Sequence, residues 1–231
     1  MEGSDVYEVL RGAGVHTLYH ANTVITSCTF LQIGGLASRG HVERHDMPQT
    51  PQNSDPLDKR FGIFNDVFTD GVDVHNRAST RNYYGPVLFA LPLDVLIGLP
   101  PRAEVLVTRD NPVNWNLGAR EADRYFLTEA ELREGYTFGD FGKHVTFRLP
   151  DGLLRFPEGP LEVVLDDPHA TLPNSKDAYP VALSLLRRAA RRGGVRIEIT
   201  KRQCNSWCTC LTGNARSYDR SDIRQMFAGE P

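Results

Sequence analysis

Long hydrophobic runs are missing from this 231-residue sequence. No segment approaches the ~18–20 consecutive apolar residues that a helix needs to cross a bilayer. Cysteine is scarce: four in the whole chain, too few to staple a fold of this length. Charge of one sign is also lacking. Lys and Arg total 26 against 29 Asp and Glu, a net charge of −3, which excludes a uniformly basic nucleic-acid binder but not a local basic cleft. The start, Met1-Glu2-Gly3-Ser4-Asp5, lacks the basic and then apolar pattern of a signal peptide. No internal repeat and no low-complexity segment occurs. These absences point to a cytoplasmic, reducing location with no membrane association.

What is present is ordinary globular material. Hydrophobic residues make up 40% and charged residues 24%, which predicts one well-filled domain over residues 1–231. A chain of this size buries roughly 70% of its unfolded surface. Residues 1–16 read as a helix ended by Gly12 and Gly14. Val87–Leu91 reads as a buried strand, Leu93–Ile97 as a helical turn, and Glu104–Thr108 as a second strand. Thr128-Glu-Ala-Glu131 has the spacing of a capping box and opens a short helix up to Gly135. Strands follow at 144–149, 153–156 and 161–165, with Asp151-Gly152 as a hairpin turn between the first two. The clearest helix is 177–192, capped by Asp177 and closed by Gly193-Gly194, with Val195–Ile199 an alternating strand after it. Closely spaced, hairpin-joined strands with short helices give an α+β class: a split, mostly antiparallel sheet flanking a cleft.

Two stretches stand apart. Residues 40–82 are rich in His, Asp, Asn, Gln and Arg, with prolines at 48, 51 and 56. Such a polar insert predicts a functional or disordered loop. The C-terminal extension, about 200–231, carries Cys204, Cys208 and Cys210 around Trp207. Three thiols fall short of a zinc set, so reduced, packed cysteines are expected.

The chain is organised around residues 17–40. A strand, Thr17-Leu18-Tyr19-His20, leads through Ala21-Asn22-Thr23 into a short helix containing Cys28, Phe30, Leu31 and Ile33. Thr26 or Ser27 can cap its start, and Gly34-Gly35 suits its end. Leu18-Tyr19-His20, followed by this helix and Gly35-Leu36-x-Ser38-Arg39, resembles the opening of the ADP-ribosyltransferases. It is nearest to the DarT-like toxins that modify nucleic acids, and more distantly similar to the poly(ADP-ribose) polymerases. The resemblance implies an ADP-ribosyltransferase-like fold around an NAD cleft, with NAD as substrate and His20 on the nicotinamide ribose. It implies a mono-ADP-ribosyltransferase, a bacterial toxin or anti-phage effector modifying a nucleic-acid base, with a neutralising antitoxin protein as a further partner.

Transfer from NAD breaks the bond from ribose to nicotinamide and passes through an oxocarbenium-like centre, as in glycoside cleavage. The site must grip ribose hydroxyls, stack the ring, set a carboxylate beside the developing charge and exclude water. His20 can bond a ribose hydroxyl. Asn22, Thr23 and Arg39 are candidates for the amide, adenylate and diphosphate contacts, arginine because its fork makes paired bonds to phosphate. Tyr83 and Tyr84 precede a buried strand, where a tyrosine can stack on nicotinamide. Three acids compete for the carboxylate. Asp140, before strand 144–149, stands slightly ahead of Glu104, and Glu162 is the late option. Arg44, Lys59, Arg60, Arg77 and Arg81 of the insert can supply phosphate contacts to a nucleic-acid strand.

Two rivals remain at this stage. Asp166, Asp167 and His169, with His41, His45 or His75, have the donor types of a metal-dependent nuclease or phosphodiesterase. A binding module without chemistry, working through the insert and the tail, is the third possibility.

Overall fold

The computed structural model describes residues 1–77, 82–140, 142–204 and 219–228. The first half contains α1 (Gly3–Gly12), β1 (Thr17–Asn22), α2 (Val24–Ile33), β2 (Gly35–Ala37), α3 (Arg39–Arg44), α4 (Asp55–Phe61), β3 (Val67–Asp70), α5 (Val74–Arg77) and β4 (Val87–Pro92). The second half contains β5 (Glu104–Thr108), α6 (Glu121–Arg124), β6 (Tyr125–Phe126), α7 (Glu129–Gly135), β7 (His144–Arg148), β8 (Leu153–Arg155), β9 (Leu161–Asp167), α8 (Ala178–Gly193), β10 (Ile197–Gln203) and α9 (Arg220–Phe227). None of the helices is long and apolar enough to cross a membrane, among the described residues.

Eight strands form one sheet in the order β10-β9-β4-β1-β3-β7-β5-β6. All its pairs are antiparallel except β9 with β10. That exception follows from α8, since only a crossover of such length returns the chain in the same direction. Leu18, Phe89, Val163 and Leu165 turn one face of the sheet into the main core with Phe30 of α2 and Leu186 of α8. α2 is buried on nearly every side, from Val24 to Leu31, so it shows no polar stripe. Ala21, Leu88 and Val74 form a small second cluster on the opposite face, under α5.

The sheet is split. β1 and β4 run in register over six pairs, from Thr17 opposite Pro92 to Asn22 opposite Val87. β1 and β3 share one pair, Tyr19 opposite Asp70. Beyond it the Phe68 carbonyl accepts from His20 Nδ1 at 2.7 Å instead of from the β1 backbone. This is the split, mostly antiparallel α+β arrangement that the strand order predicts.

Several local expectations are corrected. Asp151-Gly152 does not make a hairpin of β7 and β8. β8 leaves the main sheet and pairs with β2, Leu36 opposite Leu154. Ser38 N–H donates to the Gly152 carbonyl at 2.8 Å, and a methyl group at Gly152 would strike the Ser38 hydroxyl. The N-cap of α2 is Thr23, not Thr26 or Ser27. Its hydroxyl serves Thr26 and Thr50 rather than the helix backbone. The stretch expected as a polar loop, 40–82, holds most of α3, all of α4 and α5, and the core strand β3. The capping box at Thr128 is half made: Thr128 accepts from Glu131 N–H at 3.2 Å, while Glu131 turns to Leu127 N–H and Arg109. Cys204 is buried at the end of β10; Trp207, Cys208 and Cys210 lie outside the described residues.

The ends of α2 and α8 touch at Gly193, where an added methyl group would collide with the Leu31 carbonyl oxygen. Gly193→Ala is expected to cost about 1–3 kcal/mol by overpacking. A urea titration checks this, with Gly12→Ala, which meets nothing within 4 Å, as the neutral control.

Candidate functional site

β1 carries His20 to the opening of the sheet. Tyr19 faces Asp70 across the single bridge, so His20, next in the chain, points to the other face. There its ring packs on Phe30 of α2 at 5.5 Å. His20 is half-buried. Its proton position follows from its neighbours. Phe68 offers a carbonyl, which only accepts, so Nδ1 carries the hydrogen. Nε2 is then an acceptor, facing Asn22 Nδ2 at 3.3 Å. Asn22 Oδ1 accepts from Thr23 N–H at 2.9 Å, which fixes the amide the same way round. Burial lowers the His20 pKa below its ordinary 6.5, against the opposing pull of the Phe68 carbonyl and Asp70. The ring is therefore neutral at pH 7, with a directed acceptor at Nε2.

Thr23 ties this line to the insert, its hydroxyl lying 2.8 Å from that of Thr50. The turn 82–85 closes on the same spot. Asn82 Oδ1 accepts from Tyr84 and Gly85 N–H at 3.0 and 3.3 Å, and its amide donates to the Gly85 carbonyl at 2.9 Å. Gly85, at φ +121°, lies against the Asn22–Thr23 peptide, where a methyl group would collide. Tyr84 reaches from this turn across the opening. Burial raises its phenol pKa, as does the charge of Asp70, while the Asn111 side chain opposes the shift. Tyr83 is more exposed, at 59% against 38% for Tyr84.

The sequence candidates divide. His20, Asn22, Thr23 and Tyr84 come together. Arg39 does not present its fork outward. Nε and Nη2 bond Asp55 at 2.9 and 2.6 Å, leaving Nη1 buried and without a partner. The guanidinium is committed to Asp55 and offers no exposed fork to a diphosphate. Glu104 sits exposed on β5 and pairs with Arg148 at 3.5 Å. β5 is three strands from β1, about 14 Å at ~4.8 Å per step. Asp140 is bound by Lys143 Nζ at 2.5 Å in the turn before β7. Glu162 pairs with Ala90, inward along β9 from the end nearest Asn22, and is solvent-exposed.

The insert's cations are partly engaged. Lys59 pairs with Glu43 at 2.9 Å, and Arg44 bonds Asn65. Arg81 and the Arg77 side chain lie outside the described residues. The proposed metal ligands are engaged as well. Asp166 binds Arg202 Nε at 2.6 Å and His75 at 3.0 Å. These partners outweigh burial and hold its pKa below the ordinary carboxylate value. Asp167 binds Lys201 at 2.5 Å and, more loosely, His169 at 3.4 Å. His41 donates to the Asp151 carbonyl at 2.6 Å and packs on His45. No group of three or more His, Cys, Asp or Glu able to hold a metal ion occurs among the described residues.

Sequence reasoning missed Asp70 and His144. They pair across β3 and β7, with Nδ1 2.8 Å from Oδ1. The angle falls short of a hydrogen bond, so the attraction is mainly coulombic. Burial works against the charged ring, but Asp70 prevails and the His144 pKa is raised. The charge of Asp70 reaches His20, Tyr84 and Tyr136 too. The available signal was the strand-like Val67-Phe68-Thr69 inside the polar stretch.

No family model and no curated protein matches the chain. A solved structure described as Thermus sp. 2.9 DarT in complex with ADP-ribosylated ssDNA is similar to it, with a TM-score of 0.44 and 13% identity, over 81% of this chain and 95% of that chain.

The two histidines are expected to titrate on opposite sides of 6.5. His20, with a lowered folded value, leaves stability intact above its unfolded pKa and erodes it as pH falls towards the folded one. His144 stabilises fully below its unfolded pKa and loses that contribution as pH rises through its raised folded value. Imidazole nitrogen NMR shifts against pH check both. Asp70→Asn should drop the His144 pKa below 6.5 and leave His20 in its Nδ1–H tautomer.

Proposed function

We propose that the chain is an NAD-dependent mono-ADP-ribosyltransferase acting on a macromolecule, with a nucleic-acid base as acceptor. The observation that carries this is the opening between β1 and β3, with the neutral His20 ring held at its edge by the Phe68 carbonyl and the Asn22 amide. The residues of the ADP-ribosyltransferase resemblance fall on consecutive elements of the chain: Leu18-Tyr19-His20 on β1, Gly35-Leu36 on β2, and Ser38-Arg39 at the start of α3.

In this proposal a ribose hydroxyl replaces the Asn22 amide as the donor to His20 Nε2, which fixes the sugar. Nicotinamide lies against Tyr84. The glycosidic bond to nicotinamide breaks, the bonding pair leaves with the ring nitrogen and neutralises it, and an acceptor nitrogen or oxygen attacks the sugar carbon and gives up its proton to water. Asp70, the cross-strand partner of Tyr19, stands on the other face of the sheet from the His20 ring and acts on the site through its charge, which reaches His20, Tyr84 and His144. Its charge is shared with His144 in the resting site.

Incubation with labelled NAD, nucleic acid and cell extract tests the assignment. Label is expected in a product that nuclease digests and protease does not. His20→Gln, whose amide can still donate to Phe68, should lower incorporation about 10- to 100-fold through loss of one transition-state hydrogen bond. Label only in protease-sensitive product moves the acceptor to protein; no label in any acceptor overturns the assignment.

A further inference from the structure

Away from the His20 ring, a groove of about 520 Å³ lies between α2, α8 and the segment 46–49. Ile25, Met47 and Leu185 give it an apolar lining, and Arg188 and Arg192 stand along one side. Leu185, Arg188, Ala189 and Arg192 share one face of α8 by their spacing. Arg187 and Arg191 fall outside the groove. The four arginines occur within six residues, 187–192, of a chain whose net charge is −3. None of them forms an ion pair among the described residues. The complement to the helix dipole accounts for Arg191 and Arg192 in the last turn. It does not account for Arg188, a turn earlier. Asp46 is the one carboxylate in the lining.

The groove's wall at 46–49 continues to Thr50 and is pinned to α2 by Thr29 Oγ1 donating to the Pro48 carbonyl at 2.5 Å and Thr50 N–H donating to Thr26 Oγ1 at 3.0 Å. Thr23, which begins α2, touches both that wall and the Asn22–His20 line. Cys28, also in the lining, is no nucleophile at neutral pH: burial pushes its thiol up to about 11 despite Arg188 nearby.

We infer that this groove docks the acceptor strand, a single-stranded nucleic acid, with phosphates on Arg188 and Arg192 and sugar or base edges on the apolar lining. The inference rests on the transferase assignment for the identity of the acceptor. Guanidiniums without an internal carboxylate are suited to an external phosphate, which they bind in paired fashion. A strand lying there is led along the 46–50 wall to the sugar held at His20.

Fluorescence anisotropy of a labelled single-stranded oligonucleotide, without NAD, tests the inference. The double variant Arg188→Gln/Arg192→Gln should weaken binding about tenfold or more and flatten the salt dependence by about 1.4 in log–log slope, two phosphate contacts on a single strand. Arg187→Gln/Arg191→Gln removes the same charge outside the groove and should bind nearly as the wild type does. Equal losses in both variants, or no loss in the first, overturn the docking site. Competition by polyglutamate as effective as by unlabelled oligonucleotide also overturns it, in favour of an acidic polypeptide. His20→Gln should bind the oligonucleotide unchanged. Groove-specific binding with no ADP-ribosylation would sink the transferase and spare the groove; ADP-ribosylation without groove-specific binding would do the reverse.

Discussion

A buried strand carbonyl must find a donor, and here the Phe68 carbonyl finds it in a side chain. The His20 ring takes the place of the next rung between β1 and β3. The sheet therefore opens without leaving that acceptor orphaned, a defect that would cost about 1–3 kcal/mol. The same bond makes the ring useful. Phe68 fixes the tautomer, and burial keeps the ring neutral. Asn22, locked by the Thr23 amide, marks where the remaining lone pair points. Opening and tautomer are consequences of one substitution of side chain for backbone, while neutrality comes from burial working against that bond.

One bridge cannot hold two halves of a sheet in register, so other contacts must. The β2–β8 pair does this from one side. It joins the chain that leaves α2 to the chain that leaves β7, and Phe156 N–H and Ser38 N–H extend the ladder at its two ends. The 82–85 turn works from the other, with Gly85 against β1 and Tyr84 extending towards Asn111. The pairing of β8 with β2 thus has a structural purpose that a β7–β8 hairpin would lack: it spans the split.

The elements legible in the sequence were those with local causes. Gly34 and Gly194 both stop helices in the left-handed conformation, and Asp177 caps α8 through Tyr179 N–H. Period-2 burial in Leu161, Val163 and Leu165 marks β9. Non-local choices stayed hidden. Asp151-Gly152 has good hairpin chemistry, yet Gly35–Ala37 offered β8 another partner. Val67–Asp70 is too short, and too surrounded by polar residues, to declare itself a core strand, although its place beside β1 creates the opening. Arg39 shows the limit for site residues: its type suits phosphate, but only the fold reveals Asp55 on its fork.

The same distinction sorts the cations. Arg202 lies between Asp166 and Asp73, Arg148 reaches Asp66, Lys201 meets Asp167, and Arg39 holds Asp55. In each of these pairs the acid is largely withdrawn from water, and removing the cation would strand a carboxylate that the fold has already desolvated. Such residues are committed to the fold and cannot turn to a ligand without loss of stability. The arginines of α8 carry no such obligation, so their charge remains available. An acidic protein with four arginines free of ion pairs among the described residues, clustered on one helix and two of them along a groove, can attract a polyanion there despite its net negative charge.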